Sequence, residues 1–181
     1  MKSDSWSDHC QVYVADDLNS FEKAHENATC AGCDIAIIDT RGGGSELNNI
    51  CMVNSNTIIV PSSLTELDKR AAVTTFDYTI RVMRELNIRL PVALLVQRVP
   101  VGNLTVTQKQ ELKNLQELPH CYTILYQRDT FAAIGKRGLL HCTHEQYLKD
   151  PVKRISAPHI AIAMSEADKL TDELLEAVGC I

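Results

Sequence analysis

Asp34-Ile35-Ala36-Ile37-Ile38-Asp39-Thr40-Arg41-Gly42-Gly43-Gly44-Ser45-Glu46 is the stretch on which the fold turns. Residues 35–38 are apolar on every position rather than on alternate ones, as in a parallel strand buried on both faces. An aspartate closes that run. The glycines after it let the backbone approach a ligand and donate N–H groups. Ser45-Glu46 then opens a helix whose N-terminus favours anions. An aspartate at the C-terminal end of a buried strand is where phosphate-loop proteins hold magnesium, so Asp39 is the candidate metal ligand and catalytic residue. The plainer alternative is a strand–turn–helix connection with Asp39 as a cap.

On either side of it, Val12–Ala15, Thr57–Pro61, Val92–Gln97 and Tyr122–Tyr126 also read as strands. Helical patterns lie between them. Asp16 and Asp17 can cap a helix running toward Ala28. Thr65 and Asp68 form a capping box for a helix with Val73, Phe76, Ile80 and Met83 on one face, ending near Asn87. Thr107 and Gln110 form a second box before Leu112, Leu115 and Leu118. A last helix spans about 158–178. This alternation predicts an α/β fold, a parallel sheet with helices on both faces, whose strand C-termini form the ligand edge. Residues 1–9 read as a polar tail and residues 10–181 as one domain.

The 181 residues suffice for one core, and no apolar run approaches the ~18 residues that span a bilayer. The first residues are polar, unlike a secretory signal. Seven cysteines without framework spacing predict reduced thiols and a cytoplasmic location. Cys30 and Cys33 form a lone C-x-x-C, read as loop thiols because a structural zinc site needs a second pair. His141 and His144 lack zinc-helix spacing. Trp6 has no assigned role.

Charge is uneven. Between Lys69 and Arg154 there are 14 Lys/Arg against 7 Asp/Glu; the remainder holds 4 against 16. The basic middle suits an anion such as DNA, or else solvated helix faces. Within it Arg98, Lys109, Lys113, Arg128, Lys136 and Arg137 are the candidate DNA contacts. Tyr122, Tyr126 and Phe131 interleave with these cations and are expected to pack as core.

The segments DIAIIDTRGGGSELNN, TIIVPSSLTELD, VALLVQRVPVGNLTVTQ and QRDTFAAIGKRGLLH resemble ParA/MinD-type ATPases, and within them the ParA-like virulence proteins of T-DNA transfer systems. The resemblance runs from about Cys10 to Leu148. It implies a P-loop NTPase-like three-layer fold, dimerisation around ATP and magnesium, DNA and relaxase as partners, and action at the cell pole. By the resemblance Asp39 is the Walker B or switch aspartate, and Thr40, Gly42 and Gly43 sense the γ-phosphate. Gln97 and Arg98 sit near the adenine, and Arg128 near the dimer or DNA surface.

The chain departs from that pattern where phosphate should be held. No G-x-x-x-x-G-K-[ST] occurs, Arg41 stands where relatives commonly have proline, and Gln97 where many have asparagine. Phosphoryl transfer depends on positioned positive charge, so turnover by these residues alone is not expected. Relative to the family, the first strand–phosphate loop–helix unit is missing. That predicts a truncated or degenerate relative of marginal stability, with backbone groups beside the Asp39 strand unmatched at ~1–3 kcal/mol for each buried one. The expected function is a DNA-transfer or partition accessory. The alternatives are an ATPase whose lysine loop another chain or a longer product supplies, and a non-functional remnant.

Overall fold

A computed structural model describes residues 9–40 and 44–180. Its elements, in order, are α1 (Leu18–Cys30), α2 (Glu46–Val53), β1 (Ile58–Ser62), α3 (Glu66–Glu85), β2 (Val92–Val96), α4 (Val106–Leu115), α5 (Asp129–Ala132), α6 (Ile134–Arg137), α7 (Leu140–Lys149), a 3₁₀ turn (Lys153–Ser156) and α8 (Ala157–Ala177). The chain is therefore a mixed helix–strand fold built on a small parallel sheet.

β1 and β2 pair in parallel, Ile58 opposite Val92 and Ser62 opposite Val96. Single parallel bridges, Leu94 to His120 and Val99 to Tyr126, extend the sheet to the segment after α4. Ile58 N–H donates to Pro91 O, and Ser62 O accepts from Gln97 N–H. In this register Ile58, Val60 and Ser62 turn their peptide groups toward β2, and Ile59 and Pro61 turn theirs away. The proline therefore costs no bond to β2, which is why it is tolerated in β1.

The core forms where α3 and α4 cover the sheet. Val60, Leu94 and Val96 meet Ala72 and Phe76 of α3 and Leu115 of α4, with Val99 and Leu64 closing the ends. In α3 the buried residues Ala72, Phe76, Thr79 and Met83 recur every three or four positions, the single stripe an amphipathic helix buries. Thr65 caps its start by accepting from Asp68 N–H. Its end is set by Asn87 at φ 53, with Ile88 N–H bonded to Met83 O and Asn87 N–H to Arg84 O. Lys69 of α3 pairs with Glu111 of α4, joining the two covering helices.

Several expectations are corrected. Val12–Ala15 and Ile35–Asp39 are not strands: they carry no regular structure and no strand partner among the described residues, with Val12 81%, Val14 79% and Ile37 93% exposed. An apolar pattern gives a strand only where a neighbouring strand accepts its peptide groups, and no described segment does so. The Tyr122–Tyr126 run contributes one bridge, not a strand. The second capping box falls on Thr105 and Gln108, two residues early; these satisfy each other's backbone reciprocally and extend α4 toward the loop. At α3 only half the box forms, since Asp68's carboxylate turns to Ser63 instead. α1, capped by Asp17, and α8, at Ala157–Ala177, lie where the pattern puts them.

Candidate functional site

Parallel pairing brings the C-terminal ends of β1 and β2 to one side, and a cleft opens there. Its volume is ≈ 350 Å³. One wall is β1 itself, Ile58 to Pro61, continuing to Ser63. A second is α3, through Asp68, Ala72, Thr75 and Tyr78. The rim is Gln97 and Arg98 beyond β2, and the outer side is Thr40 with Asn48 and Met52 of α2.

Local hydrogen bonds hold the turn from β1 into α3 and the backbone beside Arg98. Ser63 Oγ donates to the Asp68 carboxylate and accepts from Thr65 N–H at 3.2 Å, so the turn from β1 into α3 is closed by side chains. Gln97 N–H donates to Ser62 O at 2.8 Å, and Val99 N–H donates to Leu125 O at 3.2 Å. The residues on both sides of Arg98 are thus tied into the sheet through their N–H groups. Arg98 takes the bend between them in the left-handed region, φ 53. That conformation costs a non-glycine residue roughly 1–2 kcal/mol. It leaves an exposed guanidinium at the mouth of the cleft.

Gly44, the last of the three glycines, is held by packing. Gly44 lies against Tyr78, and a Cβ there would come within 3.0 Å of the Tyr78 hydroxyl. That hydroxyl donates to Asn49 Oδ1 at 2.8 Å, and Arg81 stacks over the ring at 5.4 Å. Ser45 accepts from Asn48 N–H at 3.1 Å and so starts α2 as its sequence implies.

Of the residues singled out for nucleotide chemistry, Thr40, Gln97 and Arg98 meet at this cleft. Asp39 is exposed and does not line it. Gly42 and Gly43, with Arg41 and Trp6, lie outside the described residues. Among the described residues no three His, Cys, Asp or Glu side chains gather as a metal site. Cys30 and Cys33 are exposed on the turn ending α1, and His141 and His144 lie on α7.

The candidate DNA contacts divide. Lys109 and Lys113 are exposed one turn apart on α4, and Lys136 and Arg137 are exposed on α6. Arg128 is different: its Nε donates to Glu166 Oε1 at 3.0 Å, its Nη2 donates to the same oxygen, and it stacks on Tyr126. The Glu166 bond raises its already high pKa. The expectation that the aromatics pack as core while the cations face solvent holds for partly buried Phe131 and for exposed Lys136 and Arg137, but fails for Tyr122, which is 88% exposed, and for Arg128, which is partly buried.

Sequence reasoning missed α8's part in this. Glu173 accepts from Tyr122 N–H at 2.6 Å and Thr123 N–H at 2.9 Å, and Glu166 accepts from Tyr126 N–H at 3.3 Å. Two glutamates seven residues apart share a helix face, and that spacing was the only available signal. Together they satisfy amides on the outer side of the third sheet segment. Cys121, beside Glu173, has its thiol pKa pushed up to about 11, first by burial and then by that carboxylate.

Comparison with known proteins decides the family. The family model described as "VirC1 protein" matches residues 1–180. The chain belongs to the VirC1 family. It is 41% identical over 180 residues to "Protein virC1" of Rhizobium radiobacter, covering 98% of this chain and 78% of that one. It is 40% identical over 179 residues to "Protein virC1" of Rhizobium rhizogenes, covering 97% and 78%. No solved structure matches significantly. Among the described residues no helix is long and apolar enough to cross a membrane.

Proposed function

We propose that this VirC1-family chain is a ParA-like accessory protein of T-DNA transfer, binding DNA or the relaxase assembly through its basic middle region. Membership of the family over nearly the whole chain carries this reading. Two further observations support it. The chain from Lys69 to Arg154 is strongly basic within an acidic protein. Lys109, Lys113, Lys136 and Arg137 hold their charges in solvent, where phosphate can reach them.

In this reading the strand-end cleft is a nucleotide site without a phosphate grip. Thr40, Gln97 and Arg98 stand where the resemblance puts γ-phosphate and adenine contacts, and Arg98 is their one cation. ATP and magnesium, with Asp39 as the metal ligand, belong to this chain only when a lysine loop is supplied by a longer product or another chain.

Replacing Lys109 and Lys113 together by alanine tests the DNA assignment. Each phosphate left without its lysine lowers the steepness of log K against log salt by ~0.9, so the double variant binds duplex more weakly and with a flatter slope. Arg128→Ala changes that slope little, because Glu166 already holds the guanidinium. Equal slopes for wild type and the lysine variant would remove α4 from the interface.

A further inference from the structure

The chain turns outward between α7 and α8. From residue 148 to residue 156 every position except Asp150 is exposed. Leu148 is 50% exposed, Val152 80% and Ile155 82%. Single exposed aliphatics are ordinary, but three so close along one turn make a shared apolar surface. The turn is firmly seated. Its 3₁₀ segment packs against both α7 and α8. Ala157, Ile160 and Ala163 bury the first turns of α8 beneath it.

Cations interleave with these aliphatics. Lys149, Lys153 and Arg154 stand there against one carboxylate, Asp150. That carboxylate faces the turn's own backbone: its Oδ1 accepts from Val152 N–H at 2.9 Å and Lys153 N–H at 3.2 Å. Its Oδ2 lies 3.5 Å from Lys153 Nζ. Lys149 and Arg154 make no ion pair among the described residues. Protein cover would bury these cations without partner charges, which is costly. Duplex DNA would engage the cations through phosphate and leave most of the aliphatic surface in water. The boundary of an anionic bilayer suits both groups at once, because aliphatics enter the acyl region while lysine and arginine stay at the headgroups.

We propose that residues 148–156 dock this protein on an anionic lipid bilayer. Leu148, Val152 and Ile155 enter the apolar boundary, and Lys149, Lys153 and Arg154 meet the lipid phosphates. Neither contribution suffices alone. Three aliphatics bury too little to hold a protein at a bilayer, and the cations are screened by salt. Docking is therefore reversible and needs both. The surface shares no residue with Lys109 and Lys113 of α4, so lipid docking and the DNA contact proposed for α4 stand or fall separately.

Flotation of the full chain with lipid vesicles tests this. One set is phosphatidylcholine alone, and the other carries about one third phosphatidylglycerol, both at about 0.1 M salt. Wild type should float with the anionic vesicles only, and about 1 M salt should release it. Val152→Glu with Ile155→Glu should abolish flotation while keeping the wild-type circular dichroism spectrum, since both side chains are exposed. Val152→Asn with Ile155→Asn adds no charge and should also weaken flotation, which separates lost apolar contact from added repulsion. Lys149→Gln with Arg154→Gln should weaken partition about 25-fold, about fivefold for each cation removed. Lys109→Ala with Lys113→Ala should float as wild type does. A wild type that floats with neither vesicle, or equally with both, overturns the inference. So does flotation that survives Val152→Glu with Ile155→Glu. Loss of duplex binding in that variant, with no vesicle binding by wild type, would assign the turn to nucleic acid instead.

Discussion

Among single residues, Gly44, Arg98 and the thiols give the sharpest consequences. Gly44→Ala drives a methyl into a tyrosine whose hydroxyl is already bonded to Asn49. It should cost about 1–2 kcal/mol in urea unfolding. Tyr78→Phe removes only the hydrogen bond and should cost about 1 kcal/mol. In the Tyr78→Phe background Gly44→Ala should cost less, since the closest atom is gone. Arg98→Gly relieves a left-handed side chain but frees the unfolded backbone, so stability should stay within about 1 kcal/mol of wild type. Any anion held at the cleft should bind more weakly in the same variant. Thiol labelling at mildly alkaline pH should modify exposed Cys30, Cys33 and Cys180 first. Buried Cys121, with its pKa pushed up to about 11, and buried Cys51, also raised by burial, should react only on unfolding. Fast labelling of Cys121 in the native protein would be incompatible with its placement.

Among the elements, carboxylates join helices to one another and to the sheet. Lys69 is held above its ordinary 10.5 by its hydrogen bonds to Glu111 and then Glu66, and Glu111 below its ordinary 4.5 by Lys69. A raised lysine stabilises fully below its unfolded pKa and stops as pH rises past its folded one. A depressed carboxylate stabilises above its unfolded pKa and stops as pH falls through its folded one. The α3–α4 pair therefore contributes from about pH 5 to pH 10. The melting difference between wild type and Glu111→Gln should be constant across that window and shrink in acid. Glu173→Ala leaves two amides without their acceptor; amide exchange at Tyr122 and Thr123 should accelerate, with a loss of about 1–2 kcal/mol. Unchanged exchange there would mean α8 does not hold that flank.

These elements also show what the sequence could reveal. Helix starts were legible because capping is a contact within four residues: Asp17, Ser45 and Thr65 all cap as their neighbours imply. The Thr105 cap was misplaced by two because Thr-Val-Thr offers two hydroxyls and the chain uses the first. Strands are long-range objects, so IAIID and VYVA carried the composition of strands without the partners that make them so. At the cleft, Thr40, Gln97 and Arg98, which the family resemblance singled out, line one space. The Gly44–Tyr78–Asn49 contact and the Glu166–Arg128 pair were not legible, since each joins residues 29 to 38 positions apart or an element to a distant turn.

For the molecule as a whole, the proposed DNA binding rests on the charge distribution. The chain carries a net charge of −5, so a uniform surface would repel DNA. Binding requires the basic middle to act as a separate patch, with the acidic residues, including those of α8, turned elsewhere or paired as Glu166 is. The interaction should therefore be strongly salt-dependent and set by a few exposed lysines and arginines. Its decisive test is filter binding of the full chain to transfer-border duplex and to an unrelated duplex of equal length, across about 50 to 200 mM salt. Binding at low salt should fall steeply with log salt, with the border duplex held more tightly throughout. Absence of binding at the lowest salt, or affinity indifferent to salt, would refute a DNA-binding role for the basic middle.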